Sequence, residues 1–258
     1  MFAPVDDLSG CRILLSNDDG INAPGLAVLE KIARSLSDDV WVVAPAHEQS
    51  GAGHSLTLHN PLRPTHLGEK RYMVDGTPTD CVLVACQHIM VDEPPDLVLS
   101  GINMGANLGE DVHYSGTVAA ALEATLHNIP AIALSQLMSK APQWDIAEHY
   151  GPDLIRSICR LGWSRNTLIN INFPEFHLSD VKGVKMACQG RHKIGDDVIL
   201  REDPRGKPYI WIGAAVTSES NDEDTDINAT ATGHVSVTPL SVDLTDRDTI
   251  SALKKALE

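Results

Sequence analysis

From residue 11 to about residue 173 the chain alternates two kinds of apolar pattern. Arg12-Ile13-Leu14-Leu15-Ser16 carries aliphatic side chains at consecutive positions, as a strand buried on both faces does. Leu26, Leu29, Ile32, Ala33 and Leu36 then recur at three- and four-residue spacing, an amphipathic helix stripe. Val40-Trp41-Val42-Val43-Ala44-Pro45 is the next strand, stopped by its proline. Such a β-α-β unit requires parallel strands joined by a right-handed crossover. The pattern repeats through a helix from Pro78 to about Met90, a strand Asp96–Ser100, a helix Gly116–Leu126 and a strand Ala131–Ser135. A helix from Asp145 to about Leu161 and a strand Leu168–Phe173 close the series. This alternation predicts an α/β fold, an open, doubly wound, mostly parallel sheet with helices on both faces.

After about residue 180 the texture changes. Val181–Gln189, Tyr209–Gly213 and Val235–Val242 read as strands joined by polar loops, and Asp246–Leu257 as a short helix. Between them the acidic run Ser218–Asp226 predicts a solvated loop, since it cannot bury a core and lacks the spacing of a calcium loop. The expected division is an N-terminal extension over residues 1–10, a catalytic domain over 11–180, and a smaller β-rich appendage over 181–258.

Composition narrows the picture. Aromatic residues are only 4% of a chain that is 43% hydrophobic, so the core must be aliphatic. A net charge of −15 repels phosphate backbones, which excludes nucleic-acid polymers as the main partner but not a small anion approached through a metal ion. The five cysteines are odd in number and scattered, as expected of reduced, mostly buried thiols in a cytoplasmic protein. The first residues hold two acids and no apolar run, unlike a signal peptide, and no stretch has the length of a membrane span.

In an open α/β sheet ligands bind at the carboxyl ends of the strands. Asn17-Asp18-Asp19-Gly20 follows the first predicted strand, Ala46-His47-Glu48-Gln49-Ser50-Gly51 the second, and Gly101 to Gly109 the strand at Asp96. Two adjacent carboxylates repel unless a cation sits between them, and Asp18 and Asp19 with the Ser50 hydroxyl and the Asn103 amide form an oxygen set suited to Mg²⁺ or Mn²⁺. The plain alternative is that Asp-Asp-Gly is only a tight turn. Ser115-Gly116-Thr117 at a helix start offers backbone N–H groups and hydroxyls to an anion; alternatively it is an ordinary N-cap. Neither loop matches the Walker A or the dinucleotide fingerprint. His54, His59, His66 and the pair Arg191-His192 fit loop or surface roles at least as well as a site.

These blocks taken together resemble the stationary-phase survival protein SurE family. The resemblance is carried by Ile13 to Ile21 with Ala23-Pro24-Gly25, Gln49-Ser50-Gly51 with Ser55 to Leu58, and Gly76 to Cys81. Ser100 to Asn103 with Gly105 and Asn107-Leu108-Gly109, then Tyr114 to Ala120, complete it, and looser likeness continues through Ile169–Pro174 and Ser236–Leu240. The resemblance implies a Rossmann-like domain with a C-terminal hairpin and tail exchanged between subunits, giving homo-oligomers, either dimers or tetramers. It implies one divalent cation per subunit and a phosphatase acting on nucleoside 5′- and 3′-monophosphates and, in some members, short polyphosphate. Carried over by position, Asp18, Asp19, Ser50 and Asn103 would hold the metal, and Gly51, Asn107, Ser115, Gly116 and Thr117 would lie on the phosphate side. Two departures stand out. Ala46-His47-Glu48-Gln49 replaces a stretch that is often arginine-bearing, which puts affinity and base preference in question, and the ten-residue extension is expected to be dispensable.

On this reading an activated water attacks the phosphoryl group, with Asp19 orienting or deprotonating it and an aspartyl-phosphate route as the alternative. The rival readings are a nucleotide-sugar transferase, a metal-stabilised nucleotide sensor without turnover, and a purely structural oligomer.

Overall fold

The computed structural model describes residues 1–138, 143–191, 198–213 and 222–257. Its centre is a nine-stranded sheet built on β1 (Arg12–Ser16), β2 (Asp39–Pro45), β5 (Leu97–Met104), β6 (Ala131–Gln136) and β7 (Thr167–Phe173), all parallel. β3 (Pro64–Gly68) and β4 (Arg71–Val74) extend one edge; β11 (Val235–Ser241) and β8 (Val184–Met186) extend the other. The spatial order is β3-β4-β2-β1-β5-β6-β7-β11-β8. From β1 the chain winds outward through β2 and β4, then returns to place β5 on the other flank of β1, so the winding reverses between β1 and β5. Ligands of doubly wound sheets lie in the crevice at such a reversal.

Helices cover both faces. On one, α1 (Pro24–Arg34) and α4 (Asp145–Leu161) bury Leu26, Leu29, Ile32, Ile146 and Ile155 against Ile13, Leu15, Leu99 and Ile132. On the other, α2 (Pro78–Val84) and α3 (Gly116–Leu126) pack against Leu14, Val98, Ala131 and Ala133. α3 is buried nearly all round, and its alanines 119, 120, 121 and 124 allow that close seating. Thr77 and Asp80 form a reciprocal capping box at the start of α2, with Pro78 in its first turn.

The segment after residue 180 divides in two. β11 pairs antiparallel with β7 and β8 pairs parallel with β11, so both belong to the main sheet. β9 (Val198–Glu202) and β10 (Pro208–Ile212) form a separate antiparallel hairpin whose Leu200, Ile210, Trp211 and Ile212 are exposed. The end of the acidic run is a correction to the solvated-loop expectation. Thr225 caps a short helix, α5 (Asp226–Ala231), and Asp226 is fully buried; residues 218–221 of that run lie outside the described residues. α6 (Arg247–Leu257) is the expected C-terminal helix, and its side chains are exposed.

The N-terminal extension is not a loose tail. Phe2 and Leu8 join the core, the Phe2 N–H donates to the Trp163 carbonyl at 2.7 Å, and the Phe2 ring meets Trp163 edge-on. All five cysteines are free, and burial pushes the Cys86 and Cys159 thiols up to about 12. Among the described residues no helix is long and apolar enough to cross a membrane.

Candidate functional site

The site forms where β1 ends. Three consecutive aliphatic residues anchor β1 in the core, so the residues that follow emerge at the carboxyl rim in a fixed place. Asn17 is fully buried and its amide donates to the Gly20 carbonyl at 2.9 Å, which closes the turn around Asp18 and Asp19. The tight-turn reading of Asp-Asp-Gly is thus correct as geometry, and it leaves both carboxylates on the rim.

Asp18 is only 4% exposed. Its Oδ1 accepts from the Thr117 hydroxyl at 2.5 Å, and the backbone N–H groups of Gly116 and Thr117 also support the carboxylate. A Cβ on Gly116 would lie 2.7 Å from the Asp18 Cβ, so only glycine lets α3 approach this closely. The start of α3, with its positive dipole end, therefore backs the first aspartate. Burial nevertheless dominates and raises the Asp18 carboxyl above its ordinary value.

Asp19 is more open. Its Oδ2 accepts from the Met104 N–H at 3.2 Å, which ties it to the end of β5 beside Asn103. Burial first, then the charges of Asp18 and Glu48, push its carboxyl up to about 6 against the Met104 N–H. Two carboxylates forced together, with no cationic side chain among the groups that shift them, form a site that calls for a cation.

The other expected metal donors flank this pair. The Gln49 N–H donates to the Asp18 carbonyl at 2.8 Å, which brings Ser50 to the same rim, where its hydroxyl donates to Glu48 Oε1 at 2.9 Å. The Asn103 amide is half-buried and its nitrogen donates to the Gly105 carbonyl at 3.1 Å, which leaves its oxygen unbonded among the described residues. No group of three or more His, Cys, Asp or Glu side chains gathers among the described residues, so donors beyond the aspartates would be this hydroxyl and this amide oxygen. Such an oxygen set fits Mg²⁺ or Mn²⁺.

The expected phosphate-side residues divide. Gly51 is exposed, with open space where a side chain would stand. Ser115 caps α3 by accepting from the Val118 N–H at 3.0 Å, so the N-cap reading is correct there as well. Thr117 and Gly116 face Asp18, as described. Asn107 points inward: its amide donates to Ser135 Oγ at 2.7 Å, its N–H to Asn172 Oδ1 at 2.8 Å, and its carbonyl accepts from Asn170 and Asn172. These residues shape the site from within.

Three contributors escaped sequence reasoning. Glu48, noted only as a departure, holds Ser50 and adds charge beside Asp19. His54 lies 2.8 Å from Glu123 Oε2, which pins the loop that carries Ser50 and Gly51 onto α3. Asp226 binds the Gly109 N–H at 3.0 Å from the far end of the chain. A groove of about 410 Å³ borders the site at Ser115, lined by His54, His113, Gln189 and the apolar flank of α3.

The "Survival protein SurE" family model matches residues 13–196. The chain belongs to that family. It is 57% identical to the "5'-nucleotidase SurE" of Rhodospirillum rubrum, with 99% of this chain and 100% of the relative covered. Identity to the "5'-nucleotidase SurE" of Paramagnetospirillum magneticum is also 57%, over 99% of each chain. The crystal structure of the SurE protein from Aquifex aeolicus superposes with a TM-score of 0.84 at 39% identity, covering 96% of this chain and 100% of that one. The likeness extends beyond the motif blocks to the N-terminal segment and the C-terminal strands.

Proposed function

We propose that the chain is a divalent-metal-dependent phosphomonoesterase that hydrolyses nucleoside 5′-monophosphates to nucleoside and phosphate. The observation that carries this is the paired Asp18 and Asp19 at the winding reversal, backed by the amino end of α3 and flanked by neutral oxygen donors. The nucleotidase names of relatives alike over nearly the whole chain support the substrate class.

Asp18, Asp19, Ser50 and Asn103 would hold one Mg²⁺ or Mn²⁺ per subunit. When bound, the ion polarises a phosphoryl oxygen and screens the substrate's charge from an acidic protein. The chain's own residues do the rest. Thr117 and the α3 N–H groups fix Asp18, so the cation donors are positioned before substrate arrives. Asp19, the more open carboxylate, orients a water for in-line attack and accepts its proton. The groove beside Ser115 lies within the usual size range of small-ligand sites and would take the nucleoside. A 3′-phosphate and the end of a short polyphosphate offer the same group to the same donors. The exposed apolar hairpin β9–β10 supports a homo-oligomer, and the absence of a membrane-crossing helix among the described residues is compatible with the cytoplasm.

The test is phosphate release from 5′- and 3′-nucleotides and short polyphosphate with Mg²⁺, with Mn²⁺ and with EDTA, beside Asp19→Asn. Release that requires the ion and is abolished in the variant is the expected result. Tight nucleotide binding with no release under either ion would refute it in favour of a sensor.

A further inference from the structure

Asp226 has the geometry of a working residue in a stretch that sequence reads as solvent loop. It is fully buried, and its two oxygens take three backbone N–H groups. Oδ2 accepts from Gly109 at 3.0 Å, and Oδ1 accepts from Gly190 and Ile227, each at 2.9 Å. Gln189 completes the arrangement from the other side, its Nε2 donating to the Gly109 carbonyl at 2.9 Å. Both backbone polar groups of Gly109 are thus held by residues more than seventy positions away. The two holders are themselves joined: the Cys188 N–H donates to the Asp224 carbonyl at 2.7 Å, and the Asp226 N–H to the Cys188 carbonyl at 2.9 Å.

Gly109 occupies a critical place. It adopts a φ of +53°, which favours glycine, and it lies between Asn107 and the turn that leads into α3. That turn continues through hydrogen bonds from the Tyr114 and Ser115 N–H groups to the Asp111 carbonyl, and so sets where Ser115, Gly116 and Thr117 begin the helix. Whatever fixes Gly109 fixes the groups that hold Asp18.

We infer that Asp226, assisted by Gln189, is a positioning residue for phosphoryl transfer, clamping Gly109 so that the amino end of α3 stands at the correct distance from the aspartate pair. The catalytic part of this inference rests on the nucleotidase reading. The clamp itself does not.

The discriminating variant is Asp226→Asn, which keeps the shape but offers one acceptor oxygen. That oxygen serves the two donors Gly190 and Ile227, and the new NH₂ then faces the Gly109 N–H, a donor against a donor. Displacements of about 1 Å at a reacting centre cost on the order of 100-fold. Asp226→Asn is therefore expected to lower kcat about 10- to 100-fold, with KM changed by less than about threefold, as for an interaction used in the transition state. Gln189→Ala, at an exposed residue that also lines the groove beside Ser115, is expected to lower kcat about 3- to 10-fold by the same argument, its KM reporting separately on the groove. The double variant should fall short of the product of the two effects, since both act on Gly109.

Amide hydrogen exchange at residues 105–116 provides the readout that does not depend on turnover. Exchange there should accelerate in both variants while α1 is unchanged. Wild-type kinetics in both variants, or a loss of kcat that only tracks the unfolded fraction, would overturn the positioning role. Unchanged exchange at Gly109 would overturn the clamp. A wild-type protein that exchanges as expected but releases no phosphate would overturn the nucleotidase reading and the catalytic role together, leaving the clamp standing.

Discussion

Replacing Thr117 with valine isolates the contact that holds the first aspartate. Thr117 is fully buried and its hydroxyl donates to Asp18 Oδ1 at 2.5 Å. Valine keeps the shape and removes the donor. A hydrogen bond to a charged group contributes about 1.5–3 kcal/mol. The Gly116 and Thr117 N–H groups also serve this carboxylate, so the lower part of that range, about 1.5–2 kcal/mol, applies. In a domain of this size each kcal/mol shifts Tm by about 2–4 °C, so Thr117→Val should melt about 3–8 °C lower in EDTA at neutral pH. In an Asp18→Asn background the same bond is neutral and the loss should shrink to about 0.5–1.5 kcal/mol. The double-mutant cycle then leaves a coupling of about 1 kcal/mol. An unchanged Tm, or an equal drop in both backgrounds, would refute the argument that Thr117 supports the charge on Asp18. Metal-dependent phosphate release should fall with the loss of that contact.

Two further perturbations follow from the same structure. Removing the ring of Phe2, which is buried against Trp163, with Phe2→Ala should destabilise by about 3 kcal/mol, the lower end of the cost for a buried ring. A urea midpoint equal to wild type would show that the extension does not pack in solution. Asp19 supplies a pH dependence: its folded carboxyl titrates near about 6 and an unfolded one near 3.8, so between these values the native state holds a proton that the unfolded state has lost. In EDTA its contribution is present at low pH and is lost as pH rises to about 6, so wild type should lose stability over that window relative to Asp19→Asn; parallel Tm profiles would contradict it.

Legibility in the sequence followed burial. The parallel strands could be read because both of their faces are covered, which leaves unbroken aliphatic runs such as Ile13-Leu14-Leu15 and Leu97-Val98-Leu99. β3 escaped because all of Pro64–Gly68 is exposed at a sheet edge and carries no apolar signal. The aspartate pair was visible because a strand end fixes its position without tertiary information. The resemblance puts Asn107 on the phosphate side, whereas its inward hydrogen bonds run to Ser135, Asn170 and Asn172, on strands that only the fold brings near. The burial of Asp226 was out of reach of the sequence on the same ground. Its flanking sequence is acidic, and what makes burial tolerable is three backbone N–H groups, two of them from distant segments.

The hairpin β9–β10 carries an optical consequence. Of the chain's four tryptophans, Trp211 stands 63% exposed on that hairpin, whereas Trp163 is 9% exposed in the core. A water-facing indole emits at longer wavelength and meets soluble quenchers, while a core indole does neither. Any association that covers the hairpin should therefore shift emission to the blue and shield it from iodide as protein concentration rises through the Kd. Trp211 thus serves as a native fluorophore on the exposed hairpin, with no added label.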